Sequence, residues 1–434
     1  MIQTFTEIRK SLLAFTFSTL SAVVQLPAGN MVHIHTKKIF YMCALLLLAY
    51  SCKGGISSGV HCADVAVIDL DNAAHHDMLC YSSVLDTPSV IILETKDDCI
   101  IKSIRSVEIF DNKIYLLDSE SNALYVFGAD GTFLHSIGRR GKGHGEYVEL
   151  SDFSIDRKNN IIYLWDEAKN KALKYDIHNS EFLSSVETEG NGQRSFCMQY
   201  FNDKLYVNRT SMDNNGDNCL LKEIALPSGK QTASWLDAGR YNHGWNRPLR
   251  MPLSFFYSRN TASPKYVEMF SDTIMSLTDE GPVPAYCVKS ERFVTAADLV
   301  PVLKESKSFY DLSKLYADKR IFQISHFVEL DSCVTFQYLD GLERLYALYD
   351  VTTGETKISP FFVDDYIAPD NNIPMELRYS DEHGALAVLG AEYMALFVDE
   401  MVNKGRLNPD IDRYDELKKL TEVSNPVLFY HKYK

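Results

Sequence analysis

Residues 113–137, KIYLLDSESNALYVFGADGTFLHSI, are echoed by residues 161–186, IIYLWDEAKNKALKYDIHNSEFLSSV. Tyr115 and Asp118 recur 48 residues later as Tyr163 and Asp166. Each unit contains apolar runs of strand length, separated by Ala-Asp-Gly or His-Asn-Ser turns and without helical periodicity. A four-stranded propeller blade needs about 40 to 50 residues. The repeat therefore favours a β-propeller over leucine-rich, ankyrin or helical repeats.

The rest of the chain contains enough strand-like runs to complete a ring. Six blades of about 55 to 60 residues, including inserts, account for residues 84–434 better than seven compact blades would. Residues 295–319 and 392–420 break the strand pattern and are predicted to be helical inserts on blade edges. The terminal run 426–433 is predicted to close the ring. The predicted fold class is an all-β, six-bladed β-propeller with short helical inserts.

Composition limits the classes of partner. The chain of 434 residues has a formal net charge of −14 and a pI near 5.4, and it has no run of lysine or arginine that could bind a phosphate backbone. We therefore expect no nucleic-acid partner. The nine cysteines form no C-x-x-C pair and have no histidine at zinc-site spacing. They are interpreted as small apolar core residues, with one or two disulfides as the alternative.

The N-terminal region has the layout of an export signal. From Met31, basic residues ending in Lys37 and Lys38 precede an apolar run at 39–49, which is too short for a stable membrane span. A small residue and then Cys52 follow, as in a bacterial lipoprotein signal. We predict a signal region at 1–51 with its true start at Met31, lipidation at Cys52 and a tether at 52–83. Two tandem membrane helices are the weaker alternative.

The stretch 136–156, SIGRRGKGHGEYVELSDFSID, carries a family resemblance. Together with residues 92–95 and 425–428, it resembles a family of six-bladed β-propellers, related to NHL-type repeats, that is common among exported bacterial lipoproteins. The sequence departs from that pattern at His144, where the family usually has proline. The resemblance implies the fold and export. It brings no catalytic residue, because the biochemical role of the family is largely undefined.

The same stretch supplies the candidate ligand-binding residues Arg139, Arg140 and His144. With Lys142, they concentrate positive charge in a loop expected to face the central channel or its rim, where they could capture a carboxylate or sulfate. In the structural alternative, which we favour, the arginines pair with nearby carboxylates such as Glu146. The glycines do not follow the G-x-G-x-x-G or P-loop order, so a phosphate cradle is not indicated.

Asp118 and Asp166 could be interpreted as metal ligands or as acid/base carboxylates around the axis. Because they recur with the blade period, a structural role is favoured, such as an aspartate that caps the turn after its strand. No G-x-S-x-G motif indicates a hydrolase.

Three functions remain open at this stage. The leading interpretation is a non-enzymatic, cofactor-free cell-envelope lipoprotein of the outer membrane. It would be a monomer, held by its lipid anchor alone, that binds a glycan, a peptide or an envelope protein on one face of the ring. The alternative is a metal-dependent lyase or lactonase-like hydrolase with its site at the central channel and with Ca²⁺ as its cofactor. A partner-dependent scaffold is the third interpretation.

Overall fold

Consecutive strands of the chain pair into antiparallel sheets that pack side by side around one axis. The computed structural model describes residues 65–188, 195–209, 217–245, 255–256, 263–305, 312–370 and 372–434. Within these residues, the first strand of each sheet lies nearest the axis. The predicted six-bladed β-propeller with short helical inserts is confirmed. We call the face at which the first strands begin the upper face, and the face at which they end the lower face.

Blades 1 to 3 follow one another along the chain, each in the same strand order. Blade 1 consists of Ile104–Phe110, Lys113–Asp118, Ala123–Gly128 and Phe133–Ile137. Blade 2 consists of Leu150–Asp156, Ile161–Asp166, Lys171–Asp176 and Phe182–Glu187. Blade 3 consists of Met198–Phe201, Lys204–Asn208, Cys219–Ala225 and Gln231–Asp237. The sequence repeat corresponds to the second, third and fourth strands of blades 1 and 2.

Blades 4 to 6 complete the ring. Blade 4 consists of Phe255–Phe256, Lys265–Val267, Thr273–Thr278 and Gly281–Lys289. Blade 5 consists of Ile324–Glu329, Cys333–Asp340, Glu343–Asp350 and Thr356–Ser359. Blade 6 combines Glu376–Ser380, Gly384–Leu389 and the C-terminal Val427–Tyr433 with Leu85–Ile92 from near the N-terminus. The C-terminal strand therefore pairs with an early strand of the chain in one sheet, which confirms the predicted ring closure by the C-terminal strand.

A turn of blade 1 fastens this closure. Gly131 has φ +90°, and a Cβ at this position would lie 2.1 Å from the carbonyl oxygen of Ile92, at the end of the outermost strand of blade 6. The carbonyl oxygen of Gly131 accepts a 2.8 Å hydrogen bond from the N–H of Glu94. Only glycine allows both this backbone conformation and this close approach.

The N-terminal belt, residues 66–80, runs along the outside of the ring. Ala66–Asp69 pairs parallel with the end of the fourth strand of blade 4, and Ala74–His75 pairs parallel with the fourth strand of blade 5. Leu79–Cys80 then pairs with Phe362–Val363. The predicted tether at 52–83 is therefore wrong from residue 66 onward, and the propeller begins before residue 84. The belt covers sheet edges that would otherwise leave backbone groups unpaired, which accounts for the difference.

The helices lie in the two predicted inserts and in short turns. Between blades 4 and 5 are Ala296–Glu305 and Ser313–Ala317. Between the second and third strands of blade 6 are the 3₁₀ helix Ala391–Tyr393, the α-helix Met394–Phe397, the π-helix Val398–Asn403 and the α-helix Tyr414–Leu417. Short turns of helix are Tyr81–Ser83, Asp97–Cys99 and Ala238–Tyr241. Both predicted helical inserts are confirmed.

A polar cap recurs at the upper face of blades 1 to 3. The buried carboxylate of Asp118 accepts hydrogen bonds of 2.8 and 3.2 Å from the two N–H groups that lead into the first strand of blade 1. Asp166 does the same in blade 2, at 3.0 and 3.2 Å. In blade 3 the amide oxygen of Asn208 takes this role, at 3.0 and 2.9 Å. The structural interpretation of the two aspartates is confirmed.

Candidate functional site

The glycine-rich loop at 138–147 folds around the carboxylate of Glu146. The N–H of Gly143 donates to Glu146 at 2.7 Å, and a Cβ on Gly141 would lie 2.0 Å from the same carboxylate. Gly145 has φ +73°, and a Cβ there would lie 2.7 Å from the ring of Phe182. The glycines are therefore required by close packing within the loop and against blade 2.

The predicted ligand residues of this loop do not lie at the channel. Arg139 is 81% exposed along its side chain and forms a 2.6 Å ion pair with Glu146, as the structural alternative predicted. Arg140 is exposed, and the exposed His144 packs edge-on against Phe182 in the outermost strand of blade 2. The expected position at the channel or its rim is therefore wrong, because Phe182 and Tyr175 hold the loop against the outer strands. Capture of an anion by Arg139, Arg140 and His144 stays a prediction.

The predicted signal region and Cys52 lie outside the described residues. Among the residues that are described, no helix is long and apolar enough to cross a membrane. Of the six cysteines in this part of the chain, Cys99, Cys197 and Cys333 are buried, whereas Cys80, Cys219 and Cys287 are partly exposed. The interpretation of the cysteines as core residues therefore holds for three of these six.

The upper half of the channel holds a charged cluster from blades 5 and 6. Glu376 pairs with Arg378, with His326 at 3.3 Å and with Arg344 at 3.5 Å. Burial would raise the pKa of Glu376, but the hydrogen bond from His326 and the nearby positive charges lower it below its usual range. This carboxylate is therefore ionised and already neutralised by its protein neighbours.

His326 is held in a strained backbone conformation. Its φ is +50°, and the pairing of its strand shifts register between Ser325 and Val328. Its Nδ1 is buried without a hydrogen-bond partner, as are the Nε atoms of Arg105 and Arg378. The two cavities beside this cluster measure only about 30 and 60 Å³. Such volumes correspond to one or two water molecules, so neither of these two cavities could hold an organic ligand.

Two further side chains fill the channel. Asp152 accepts hydrogen bonds from the backbone N–H groups of Met198, at 2.9 Å, and of Phe153. Burial raises the pKa of Asp152 to about 6, although the charge of Arg105 opposes this effect. Lower down, Arg157 of blade 2 donates to the carbonyl oxygen of residue 109 in blade 1 and contacts the hydroxyl of residue 379 in blade 6. Both side chains tie blades together.

A cavity bordered by described residues opens on the lower face, between blades 2, 3 and 4. Its volume is about 740 Å³, within the range of small-molecule sites. The lining comes from the lower ends of the first strands of blades 2 and 3 and from turns of all three blades. We call it the lower cleft; it is lined by Ile155, Asp156, Arg157, Lys158, Gln199, Tyr200, Phe201, Asn202, Asp203, Ser263, Pro264, Leu277, Thr278 and Asp279.

An aromatic pair forms one wall of the lower cleft. The ring of Tyr200 lies nearly parallel to that of Tyr163, with 5.4 Å between centroids and 12° between planes. The Tyr200 hydroxyl donates to Asp203 at 3.2 Å. The sequence does not mark these residues as a site, because they lie in strands of two different blades, Ile161–Asp166 and Met198–Phe201. The only local signal was the Asn202-Asp203 pair, which is typical of a tight turn and has left-handed backbone at both positions.

Comparison of the sequence with protein families gives one match. A family model described as a domain of unknown function, DUF4934, matches residues 65–432. The chain belongs to this family. The matched range begins one residue before the N-terminal belt and ends within the closing strand Val427–Tyr433. The DUF4934 domain therefore comprises the belt as well as the six blades. No curated protein sequence matches the chain.

Solved structures resemble the DUF4934 domain to different degrees. A predicted exported protein of Bacteroides fragilis matches with a TM-score of 0.67 at 20% identity, over 85% of this chain and 99% of its own. A DUF4221 member from Bacteroides vulgatus has a TM-score of 0.45 at 10% identity, over 81% of this chain and 97% of its own. A virginiamycin B lyase from Staphylococcus aureus has a TM-score of 0.35 at 9% identity, over 70% and 80%. The first match shows a shared fold, whereas the other two structures are too different for any conclusion about this chain.

A buried acid in blade 4 leads to a prediction about pH. Burial raises the pKa of Glu268 to about 7, although Tyr266 and the N–H of Met269 donate to its carboxylate. An unfolded glutamate titrates near 4.3. Between about pH 4.5 and 7 the folded state therefore binds more protons than the unfolded state, and stability falls as pH rises. The free energy of unfolding of the wild type should fall by on the order of 2 to 4 kcal/mol over this pH range. We expect this fall to be absent in Glu268→Gln.

Urea denaturation at half-unit pH intervals from 5 to 8 measures this effect. The free energy of unfolding of the variant should match that of the wild type near pH 5 and exceed it at pH 8. A smaller decrease with pH, due to Asp152, should remain in both proteins. Glu280→Gln, an exposed change in the same blade, is the control and should follow the wild-type curve. Parallel curves for Glu268→Gln and the wild type would contradict the prediction.

Proposed function

We propose that this chain is a non-enzymatic, exported protein of the bacterial cell envelope, anchored by a lipid on Cys52, that binds a ligand in the lower cleft. The order of the N-terminal segments supports export, and the structurally similar Bacteroides fragilis protein is itself described as exported. The lipid anchor and the outer-membrane location belong to this proposal. They depend on the signal-like segment before Cys52.

The observation that carries the binding role is the lower cleft itself. It combines a volume of about 740 Å³ with polar groups from three blades, whereas the cavities of the upper channel measure 30 and 60 Å³. Loops on a rigid ring provide recognition surfaces without any need for catalytic groups. The ligand therefore binds on one face of the ring, at the lower end of the first strands.

The metal-dependent lyase or lactonase-like alternative needs several metal ligands at one place. Among the described residues, no group of three or more His, Cys, Asp or Glu side chains is arranged to hold a metal ion. The histidine and carboxylate that do meet in the channel, His326 and Glu376, are engaged with each other and with Arg378. Binding is therefore the function that we propose.

Blocking the cleft tests this proposal. Asp279 is exposed in the turn between the third and fourth strands of blade 4, so Asp279→Trp should fold and fill the cleft mouth. Thr353→Trp is the matched control, because Thr353 occupies the corresponding exposed turn of blade 5, away from the cleft. The probes are a polysaccharide hydrolysate and a peptide digest, both prepared from bacterial envelopes.

At least one fraction should raise the melting temperature of the wild type by a few degrees, because a ligand that binds only the folded state stabilises it. Asp279→Trp should lose this shift and Thr353→Trp should keep it. Equal shifts in all three proteins would show that ligand binds elsewhere, and no shift with either fraction would count against a binding role.

A further inference from the structure

We infer that the ligand of the lower cleft is a neutral saccharide whose ring stacks on Tyr200. This inference rests on the proposed function, because it names the class of ligand that the same cleft would take. Three observations carry it: a fixed aromatic platform, a rim of amide, hydroxyl and carboxylate groups, and a nearly balanced set of charges.

The platform consists of Tyr200 backed by Tyr163. Tyr163 is buried, whereas Tyr200 is half-buried and lines the cleft. The near-parallel stacking of the two rings, with 5.4 Å between their centroids, holds the Tyr200 ring in place at the wall of the cleft. The face of an aromatic ring is electron-rich and attracts the weakly positive C–H groups that line one side of a sugar ring. A flat apolar surface of one ring in a polar cleft therefore matches one face of a saccharide.

The platform is rigid before any ligand arrives. The hydroxyl of Tyr200 donates to the Asp203 carboxylate, and the N–H of Asp203 lies 3.3 Å from the same hydroxyl. Asn202 and Asp203 both have left-handed backbone, with φ of +46° and +60°, in the tight turn that follows the strand. The platform and its turn thus lose little conformational freedom on binding, which reduces the entropic cost of association.

The rim offers hydrogen bonds in both directions. Asn202 contacts Asp279 across the boundary between blades 3 and 4. The hydroxyl groups of Ser263 and Thr278 donate to the carbonyl oxygens of Leu277 and Gly281, so they are left to accept from a ligand. A carboxylate has about four lone-pair sites, so Asp279 can accept from sugar hydroxyls while it contacts Asn202. The amide of Asn202 can both donate and accept, as sugar hydroxyls do. This pairing suits a ligand rich in hydroxyl groups.

The charge of the cleft does not favour an anion. Asp156, Asp203 and Asp279 face two basic residues, Arg157 and Lys158. Arg157 is already occupied by Glu108 at 3.3 Å and by a backbone carbonyl group. The remaining surface is weakly negative, so a uronic-acid chain or another polyanion would be repelled, whereas a neutral saccharide would not.

Binding of the full-length protein to immobilised oligosaccharides tests the inference. The probes are neutral oligosaccharides of hexoses, pentoses or N-acetylhexosamines, a uronic-acid oligosaccharide and a random-sequence peptide library. Tyr200→Ala removes the platform and should weaken binding of the best neutral probe at least tenfold. Tyr200→Phe keeps the ring and should stay within about threefold of the wild type, because stacking depends on the ring face. Tyr414→Ala, a half-buried tyrosine in the blade 6 insert, is the matched control and should bind like the wild type.

A second variant tests the inference in case Tyr200→Ala does not fold. Asp279→Asn changes only an exposed rim group and should weaken the same probe severalfold while the melting temperature stays unchanged. Tyr200-dependent binding of the peptides or of the uronic-acid probe would overturn the saccharide inference but leave the cleft as the binding site. Saccharide binding that survives both Tyr200→Ala and Asp279→Trp would overturn both proposals. If no probe binds the wild type, the saccharide inference fails, and the envelope fractions still decide the proposed function.

Discussion

Replacing His431 with leucine is expected to destabilise the propeller by about 3 to 5 kcal/mol. His431 lies on the closing strand, and its side chain and that of Asp364 are fully buried. Its Nδ1 lies 2.9 Å from the carbonyl oxygen of Asp86, and its Nε2 lies 3.0 Å from the Asp364 carboxylate. The imidazole of His431 thus joins the C-terminal strand, the outermost strand of blade 6 and the segment after Phe362–Val363. Leucine would remove the hydrogen bond that the imidazole makes with the fully buried Asp364 side chain and its contact with the carbonyl oxygen of Asp86.

Urea denaturation of the purified protein measures the change in the free energy of unfolding. His383→Leu is the control, because His383 is exposed in a turn of the same blade, and it should change stability by less than about 0.5 kcal/mol. The double change Asp364→Leu with His431→Leu should recover part of the loss, because it replaces both members of the buried polar pair by apolar side chains. A loss below about 1 kcal/mol in His431→Leu would show that the pair does not hold the ring closed.

Replacing Asp118, the polar cap of blade 1, with alanine is also expected to lower the free energy of unfolding by a large amount. Besides the two N–H groups that lead into the first strand, the Asp118 carboxylate accepts from the N–H groups of Glu120 and Ser121, at 2.9 and 3.3 Å. Asp118→Ala would remove the common acceptor of these four part-buried N–H groups. We expect a loss of about 2 to 4 kcal/mol in the free energy of unfolding, because several hydrogen bonds to one carboxylate are lost at once.

The chain supplies its own comparison for this change. Asn208 already serves as the cap in blade 3 through a single amide oxygen, so Asp118→Asn should cost less than half as much as Asp118→Ala. Asp98→Ala, at an exposed position that precedes blade 1, should be nearly neutral. Hydrogen exchange would locate the effect, because the amides of residues 102 and 103 should lose protection first. Equal losses in the Ala and Asn variants would show that the cap does not act through its hydrogen bonds.

The ring itself could be predicted from sequence because its units repeat. The Tyr115–Asp118 segment and its copy at 163–166 occupy the same strand in successive blades, and strands of this kind show clear apolar runs and turn signals. The N-terminal belt could not be predicted in this way. Its strands are only two to four residues long and pair parallel with partners more than 200 residues away, so neither periodicity nor a hairpin turn marks them.

The candidate site was harder to predict for a similar reason. The residues 138–147 attracted attention because charge and glycine are dense there, but that density serves a local loop in which Arg139 pairs with Glu146. The lower cleft has no dense motif. Tyr200, Ser263 and Asp279 are spread over two blades, and only the packing of these blades side by side brings them to the same opening. A repeat predicts the scaffold well, whereas a site made of one or two residues per blade leaves little signal in any single stretch.

The belt also determines how the molecule would respond to a pulling force at its N-terminal end. Its first pairing is with Tyr286 to Lys289, at the upper end of the outer strand of blade 4. The turn of blade 4 that borders the lower cleft lies at the opposite end of this strand. A pulling force at residue 66 would therefore first detach Ala66–Asp69, then Ala74–His75 and then Leu79–Cys80, before it reached Leu85–Ile92 in the closing sheet. The belt would yield before any of the six blades loses a strand.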